Sequence, residues 1–170
     1  KQKVPTGKLL EDPYHFWYIG KSYYDSTLGD YPLGMDHIKE YARRSIFYFG
    51  QYINFKHNFH KTGRASGIDE LGYFALYAMG DMFKLCGNYE KALDCGMKAE
   101  EFAPSRNEHI VLQAECFKDL NDFDSMKVQT DRLMDPDRKL PFPEYNFLLN
   151  MEHYNDSGSY CKQLHTIAYK

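Results

Sequence analysis

Four residues of this chain, Gly80, Phe83, Gly87 and Tyr89, recur in register 34 residues later as Ala114, Phe117, Asn121 and Phe123. A small residue, an aromatic, a turn former and a second aromatic, repeated at that period, are the marks of stacked helix-turn-helix units. One such unit cannot bury its apolar face alone, so neighbouring units stack to build a shared core. The period therefore predicts an all-α chain of antiparallel helix pairs, an architecture suited to binding or bracing.

The clearest unit runs from Tyr73 to Arg106, "YFALYAMGDMFKLCGNYEKALDCGMKAEEFAPSR". Leu76, Met79, Gly80 and Phe83 fall on one helical stripe, and Tyr89, Ala92, Leu93, Gly96 and Ala99 on a second, with Gly87 and Asn88 making the turn. Pro104 ends the second helix, and Ser105 stands where it can cap the next. This pattern is that of a tetratricopeptide-like repeat. The following unit, 107–140, places Ile110, Ala114, Phe117, Phe123, Met126 and Leu133 on its buried stripes, and closes at "DPDRKLPFP", whose Pro136, Pro141 and Pro143 cannot sit inside a helix. A first unit, 13–57, begins with "PYHFWYIGKSYYD", with Phe16, Ile19, Gly20 and Tyr23 on the packing stripe. Its partner helix, "YARRSIFYFGQYINF", arrives late because "STLGDYPLGMDHIK" lengthens the connection. The polar "KHNFHKTGRASG" reads as an exposed loop before the central unit. With a C-terminal extension over 144–170, the expectation is one domain: an α-α superhelix of about three pairs plus a final helix.

The charge balance is close to even, 21 Lys and Arg against 24 Asp and Glu, with no basic block to follow a phosphate backbone. Nucleic-acid binding is not expected. "SIFYFGQYI" is too short and interrupted for a membrane span, and no signal-peptide pattern opens the chain, so a soluble, cytoplasmic protein is expected. Four cysteines, Cys86, Cys95, Cys116 and Cys161, form no Cys-x-x-Cys pair and read as reduced thiols. Starting at Lys1 and ending on "SYCKQLHTIAYK", where Tyr160, Leu164, Ile167 and Ala168 share one helix face, the chain reads as part of a longer protein.

Catalytic signatures are lacking. No nucleophile elbow, phosphate loop, dinucleotide fingerprint or His-Glu-x-x-His helix is present. His57 and His60 lack a third ligand at convincing spacing, so no metal and no cofactor is expected; were the chain an enzyme after all, the segment around these histidines would be where to look. Paired carboxylates such as Asp69 and Glu70 or Glu100 and Glu101 read as solvated helix surface, and Asn155-Asp156-Ser157 is a formal sequon only.

The candidate site is the inner face of the first helix of each pair. Counted from the packing stripes, it comprises Tyr14, Trp17, Lys21 and Tyr24 from the first unit, Phe74, Tyr77, Asp81 and Lys84 from the central one, and Val111, Glu115 and Lys118 from the next. Aromatic content is 16 %, mostly Tyr and Phe, and such rings fill the seams between stacked helices or offer large contact area at small entropic cost. Lys84 or Lys118 can hold a carboxylate or phosphate.

Three segments, "DPYHFWYIGKSYYD", "GIDELGYFALYAMGDMFKLCGNYEKALDCGMKAEEFAPSRNEHIVLQAECFKDL" and "LPFPEYNFLL", together resemble the tetratricopeptide-like region that follows the catalytic domain in certain family 2-like glycosyltransferases of bacteria and large viruses. Its more specific marks are Glu70 before the aromatic helix, the "PSRNE" junction, where Arg106 and Glu108 would fix one helical pair against the next, and the Pro-x-Pro-like segment before an aromatic-Leu run. The insertion after Tyr24 departs from the compact first unit of that family. The resemblance implies a non-catalytic accessory region serving docking on the catalytic domain of the same parent chain, oligomerisation (a homo-oligomer included) or binding of a glycan acceptor. The alternative is a free-standing adaptor that grips a protein or peptide on the face of Trp17, Tyr24, Tyr77 and Lys84. Such enzymes carry an Asp-x-Asp metal motif at a strand end; Asp135-Pro136-Asp137 follows a helix instead, and no catalytic residue is assigned.

Overall fold

The computed structural model describes residues 12–29, 34–61 and 70–135, and only the backbone over 57–61. The described residues form six α-helices and no strand: α1 (Pro13–Leu28), α2 (Met35–Lys61), α3 (Glu70–Leu85), α4 (Tyr89–Phe102), α5 (Glu108–Asp119) and α6 (Phe123–Leu133). The chain divides into two compact units, Lys1–Asn88 and Tyr89–Lys170. The helix pair that the sequence places at 73–106 is thereby shared, α3 belonging to the first unit and α4 to the second.

In the first unit α2 packs against both α1 and α3, and α1 touches α3. α1 starts where Asp12 accepts a hydrogen bond from the Tyr14 amide at 3.0 Å, with Pro13 in the first turn, where its missing N–H costs nothing. Its crossing with α2 is close because Gly20 has no side chain: a Cβ there would stand 2.9 Å from the Phe49 ring. The Ser45 hydroxyl uses that proximity to donate to the Gly20 carbonyl at 3.0 Å. Trp17, Tyr24, Phe49, Tyr52, Ala75, Ala78 and Met82 form the buried core with Ala42, and Phe74 packs on it from α3. The Phe74 ring meets Trp17, Tyr24 and Phe49 at centroid distances of 5.7, 5.6 and 6.0 Å, in the tilted and edge-on arrangements that ring quadrupoles favour.

In the second unit α5 packs against α4 on one side and α6 on the other. Ile110, Ala114, Met126 and Leu133 are fully buried, as the stripes predict, and Phe117 packs on Ala114 and Met126. Phe123, placed on a buried stripe by the sequence, is 43 % exposed at the first position of α6. Three helices are tied by one polar cluster. The Arg132 guanidinium of α6 donates to Glu100 of α4, and Gln113 of α5 donates to the same carboxylate at 3.2 Å.

The 34-residue echo has a backbone counterpart. Among the described residues positive φ occurs at Gly87 (78°) and Asn121 (59°), matching positions of the repeat. Each ends a helix in the same way. Gly87 and Asn88 amides bond the carbonyls of Lys84 and Phe83 at 2.8 and 2.9 Å; Asn121 and Asp122 amides bond those of Lys118 and Phe117, both at 2.9 Å. This is the left-handed helix stop that glycine adopts freely and asparagine tolerates.

Three local expectations are corrected. The connection after Tyr24 is shorter than its composition suggests, because α1 continues to Leu28 and α2 already begins at Met35. The same helix runs on through His57 and His60 to Lys61, so the first half of the polar loop is helical; Tyr52 and Ile53 of its last turns remain in or on the core and carry the helix forward. Ser105 does not cap α5. Asn107 occupies the cap position without a side-chain bond, and the carboxylate of Glu108 reaches back to the Asn107 amide at 3.2 Å. Arg106 grips that carboxylate at 2.9 Å, closing a local Arg-Asn-Glu lock within the "PSRNE" junction. The extension over 144–170, the proline-rich segment from Pro136, the sequon and Cys161 lie outside the described residues.

Candidate functional site

The first-unit candidates gather on one face, along the neighbouring helices α1 and α3, but in two layers. Trp17 and Tyr24 are 8 % exposed and belong to the core, which corrects their placement as groove residues. The Trp17 indole donates to the Leu71 carbonyl at 3.1 Å, and the Tyr24 hydroxyl donates to Asp81 Oδ2 at 3.1 Å. Burial, followed by the neighbouring Asp81 and Tyr77, holds the Tyr24 phenol well above its ordinary value, so it stays protonated and remains a donor to Asp81.

The outer layer is mixed. Tyr14 is 41 % exposed, and its ring lies 6.4 Å from that of Tyr52, with the Lys56 ammonium 5.3 Å from its centroid. Lys21 pairs with Asp25 at 2.6 Å, one turn on, while standing 5.8 Å from the Phe74 ring. From α3, Phe74, Tyr77, Asp81 and Lys84 are all half-buried, the exposure expected of a lining position. Lys84 lies 4.0 Å from Asp81.

Sequence counting missed Tyr18 and Asp25. Tyr18 is 65 % exposed and stands edge-on to Trp17, centroids 5.3 Å apart and planes at 87°. The outward stripe of α1 is Tyr14, Tyr18, Lys21 and Asp25, a helical series one position away from the inward stripe of Trp17, Gly20, Tyr24 and Thr27. The signal was available in the i, i+4 spacing of the two tyrosines.

Val111, Glu115 and Lys118 are half-buried on α5, in the second unit. His57 and His60 sit in the helical backbone of α2, their side chains outside the description. Among the described residues no group of three or more His, Cys, Asp or Glu is arranged to hold a metal ion, and no helix is long and apolar enough to cross a membrane. Cys86, Cys95 and Cys116 are free thiols. Burial pushes the Cys95 thiol up to about 12 and raises that of Cys86.

Compared with protein-family models, curated proteins and solved structures, the chain finds no counterpart in any of the three. What the face itself can do follows from its chemistry. Among the described residues it offers the exposed rings of Tyr14 and Tyr18 and the charged pairs Lys21–Asp25 and Lys84–Asp81.

Proposed function

We propose that this chain is a tetratricopeptide-like recognition module serving as the non-catalytic accessory region of a glycosyltransferase, where it docks the catalytic domain, joins subunits or holds the acceptor. The observation that supports the module reading is the pair of matching helix stops at Gly87 and Asn121, 34 residues apart, which gives the sequence period a backbone counterpart. The α1/α3 face supplies what such a unit offers to a partner. Placement in a glycosyltransferase rests on the sequence resemblance, to which the Arg106–Glu108 pair in the "PSRNE" junction adds a structural role for two of its marks.

Reading the coding sequence upstream of Lys1 tests the placement: a nucleotide-sugar domain with an Asp-x-Asp motif is expected, and a frame opening near Lys1 removes it. In the full-length product, Tyr77→Ala and Lys84→Ala should weaken domain docking or raise KM for the acceptor while leaving helical content intact. Unchanged docking and KM would eliminate the α1/α3 face. A free-standing adaptor that grips a peptide is the second reading, favoured by the half-exposed Asp81 and Lys84 beside Tyr77.

A further inference from the structure

We propose that the outward face of α1 and α3, centred on Tyr14 and Tyr18 and flanked by Lys21, Asp25, Asp81 and Lys84, binds a neutral oligosaccharide. The inference rests on the recognition reading above and names the chemistry of its ligand.

Three observations select that chemistry. The first is charge. Lys21 is neutralised by Asp25 at 2.6 Å and Lys84 faces Asp81 at 4.0 Å, so that apart from Lys56, whose ammonium lies over the Tyr14 ring, the charges of the face fall in opposite pairs. Such a surface, close to balanced, has little net field to attract a polyanion, yet it offers donors and acceptors to a ligand rich in hydroxyls. The second is shape. A peptide groove gains its affinity from side chains inserted between helices. Here the seam between α1 and α3 is already filled by Trp17, Tyr24 and Phe74, with Phe74 5.7 and 5.6 Å from the other two. A ligand that lies flat on the rings needs no such slot. The third is preorganisation. Tyr18 is braced by the Trp17 edge, and Trp17 by its bond to Leu71; Tyr14 is held beside Tyr52 and Lys56. Tyr24, protonated and buried, fixes the plane of Asp81 by donating to one of its oxygens. Exposed groups held this firmly lose little entropy when a ligand settles on them.

The spacing also fits. One helical turn separates Tyr14 from Tyr18, a rise of about 6 Å, which is comparable to the spacing of neighbouring pyranose rings along a sugar chain. The apolar face of a sugar ring stacks on a tyrosine, and the sugars that continue along α1 meet Lys21 and Asp25 and then, beside Tyr24, Asp81 and Lys84.

The protein carries its own reporter, because Trp17 is the one tryptophan and lies against Tyr18. Titrating the chain with neutral hexasaccharides (malto-, cello-, laminari- and chito-series) should give a saturable change in Trp17 emission for at least one, with a dissociation constant of about 0.1–5 mM. The affinity should stay within about twofold between about 0.05 and 0.5 M NaCl, since no net charge is neutralised. By calorimetry, Tyr18→Ala should weaken binding about tenfold or more, whereas Phe47→Ala, which removes a 58 % exposed ring on α2, should leave it unchanged. The proposal is overturned by silence with all four series up to about 10 mM, by binding that survives Tyr18→Ala, or by binding confined to acidic glycans or peptides and lost in salt. If sugars fail while Tyr77→Ala and Lys84→Ala still break docking in the full-length protein, the recognition module stands and only its ligand class falls.

Discussion

Replacing Gly20 with alanine tests whether the α1–α2 crossing is as close as the ring positions require. At an open helix position this change stabilises by about 1 kcal/mol, because glycine loses more backbone entropy. At Gly20 the new methyl would lie 2.9, 3.0 and 3.1 Å from three carbons of the Phe49 ring. That ring is fully buried and has Trp17 and Phe74 at 6.3 and 6.0 Å, so it cannot swing aside. Overpacking of this kind costs about 1–3 kcal/mol. Pushing the helices apart would also stretch the Ser45–Gly20 hydrogen bond, a further cost of about 0.5–1.5 kcal/mol. Set against the propensity gain, Gly20→Ala should destabilise by roughly 1–3 kcal/mol. Urea unfolding followed at 222 nm should show a lower midpoint at unchanged slope. Phe49→Leu should cost stability alone, yet Gly20→Ala should be cheaper in its presence by about 1 kcal/mol or more, since the smaller side chain gives the methyl room. A midpoint at or above that of the parent protein in Gly20→Ala, or strict additivity in the double variant, would refute the close crossing.

Three further outcomes follow from other parts of the molecule. Gly87→Ala should cost about 1–2 kcal/mol, because its φ of 78° is strained for a residue with a Cβ, and Asn121→Ala should cost less; equal stability of Gly87→Ala and the parent protein in urea would contradict the left-handed stop. At Glu100, burial opposes ionisation but the hydrogen bonds from Arg132 and Gln113 outweigh it, leaving the carboxyl below its ordinary 4.5. The stability this contributes is present above that value and lost as pH falls through the folded-state value. Arg132→Met should therefore flatten the acid limb of stability against pH, and parallel curves for the two proteins would sink the assignment. Brief alkylation at about pH 8 should spare Cys95, whose thiol is buried and pushed up to about 12, until urea exposes it; equal labelling of folded and unfolded protein, by peptide mass, would exclude the burial.

The helical class was readable from the sequence because the period is carried by residues whose local physics repeats. Gly87 and Asn121 both tolerate a left-handed backbone, and the small Gly80 and Ala114 are both buried. Helix lengths were less readable. "STLGDYPLGMDHIK" carries the glycines and proline of a loop, yet most of it is absorbed into the ends of α1 and α2, and nothing local in "KHNF" says that α2 will continue through it.

The face of α1 shows where pattern reading reaches its limit. Aromatic residues occupy both of its stripes, Trp17 and Tyr24 inward, Tyr14 and Tyr18 outward, and both stripes obey the same three-and-four spacing. Spacing alone cannot separate two series that differ by one residue, or about 100° of rotation. What decides is Gly20: with no side chain it must face the close crossing with Phe49, and that fixes Trp17 and Tyr24 beside it on the buried side. Tyr18 is then turned outward by the geometry of the helix. Its exposure is thus a consequence of the Gly20 crossing, and any variant that forces α1 off α2 should disturb the Tyr14–Tyr18 face together with the core beneath it.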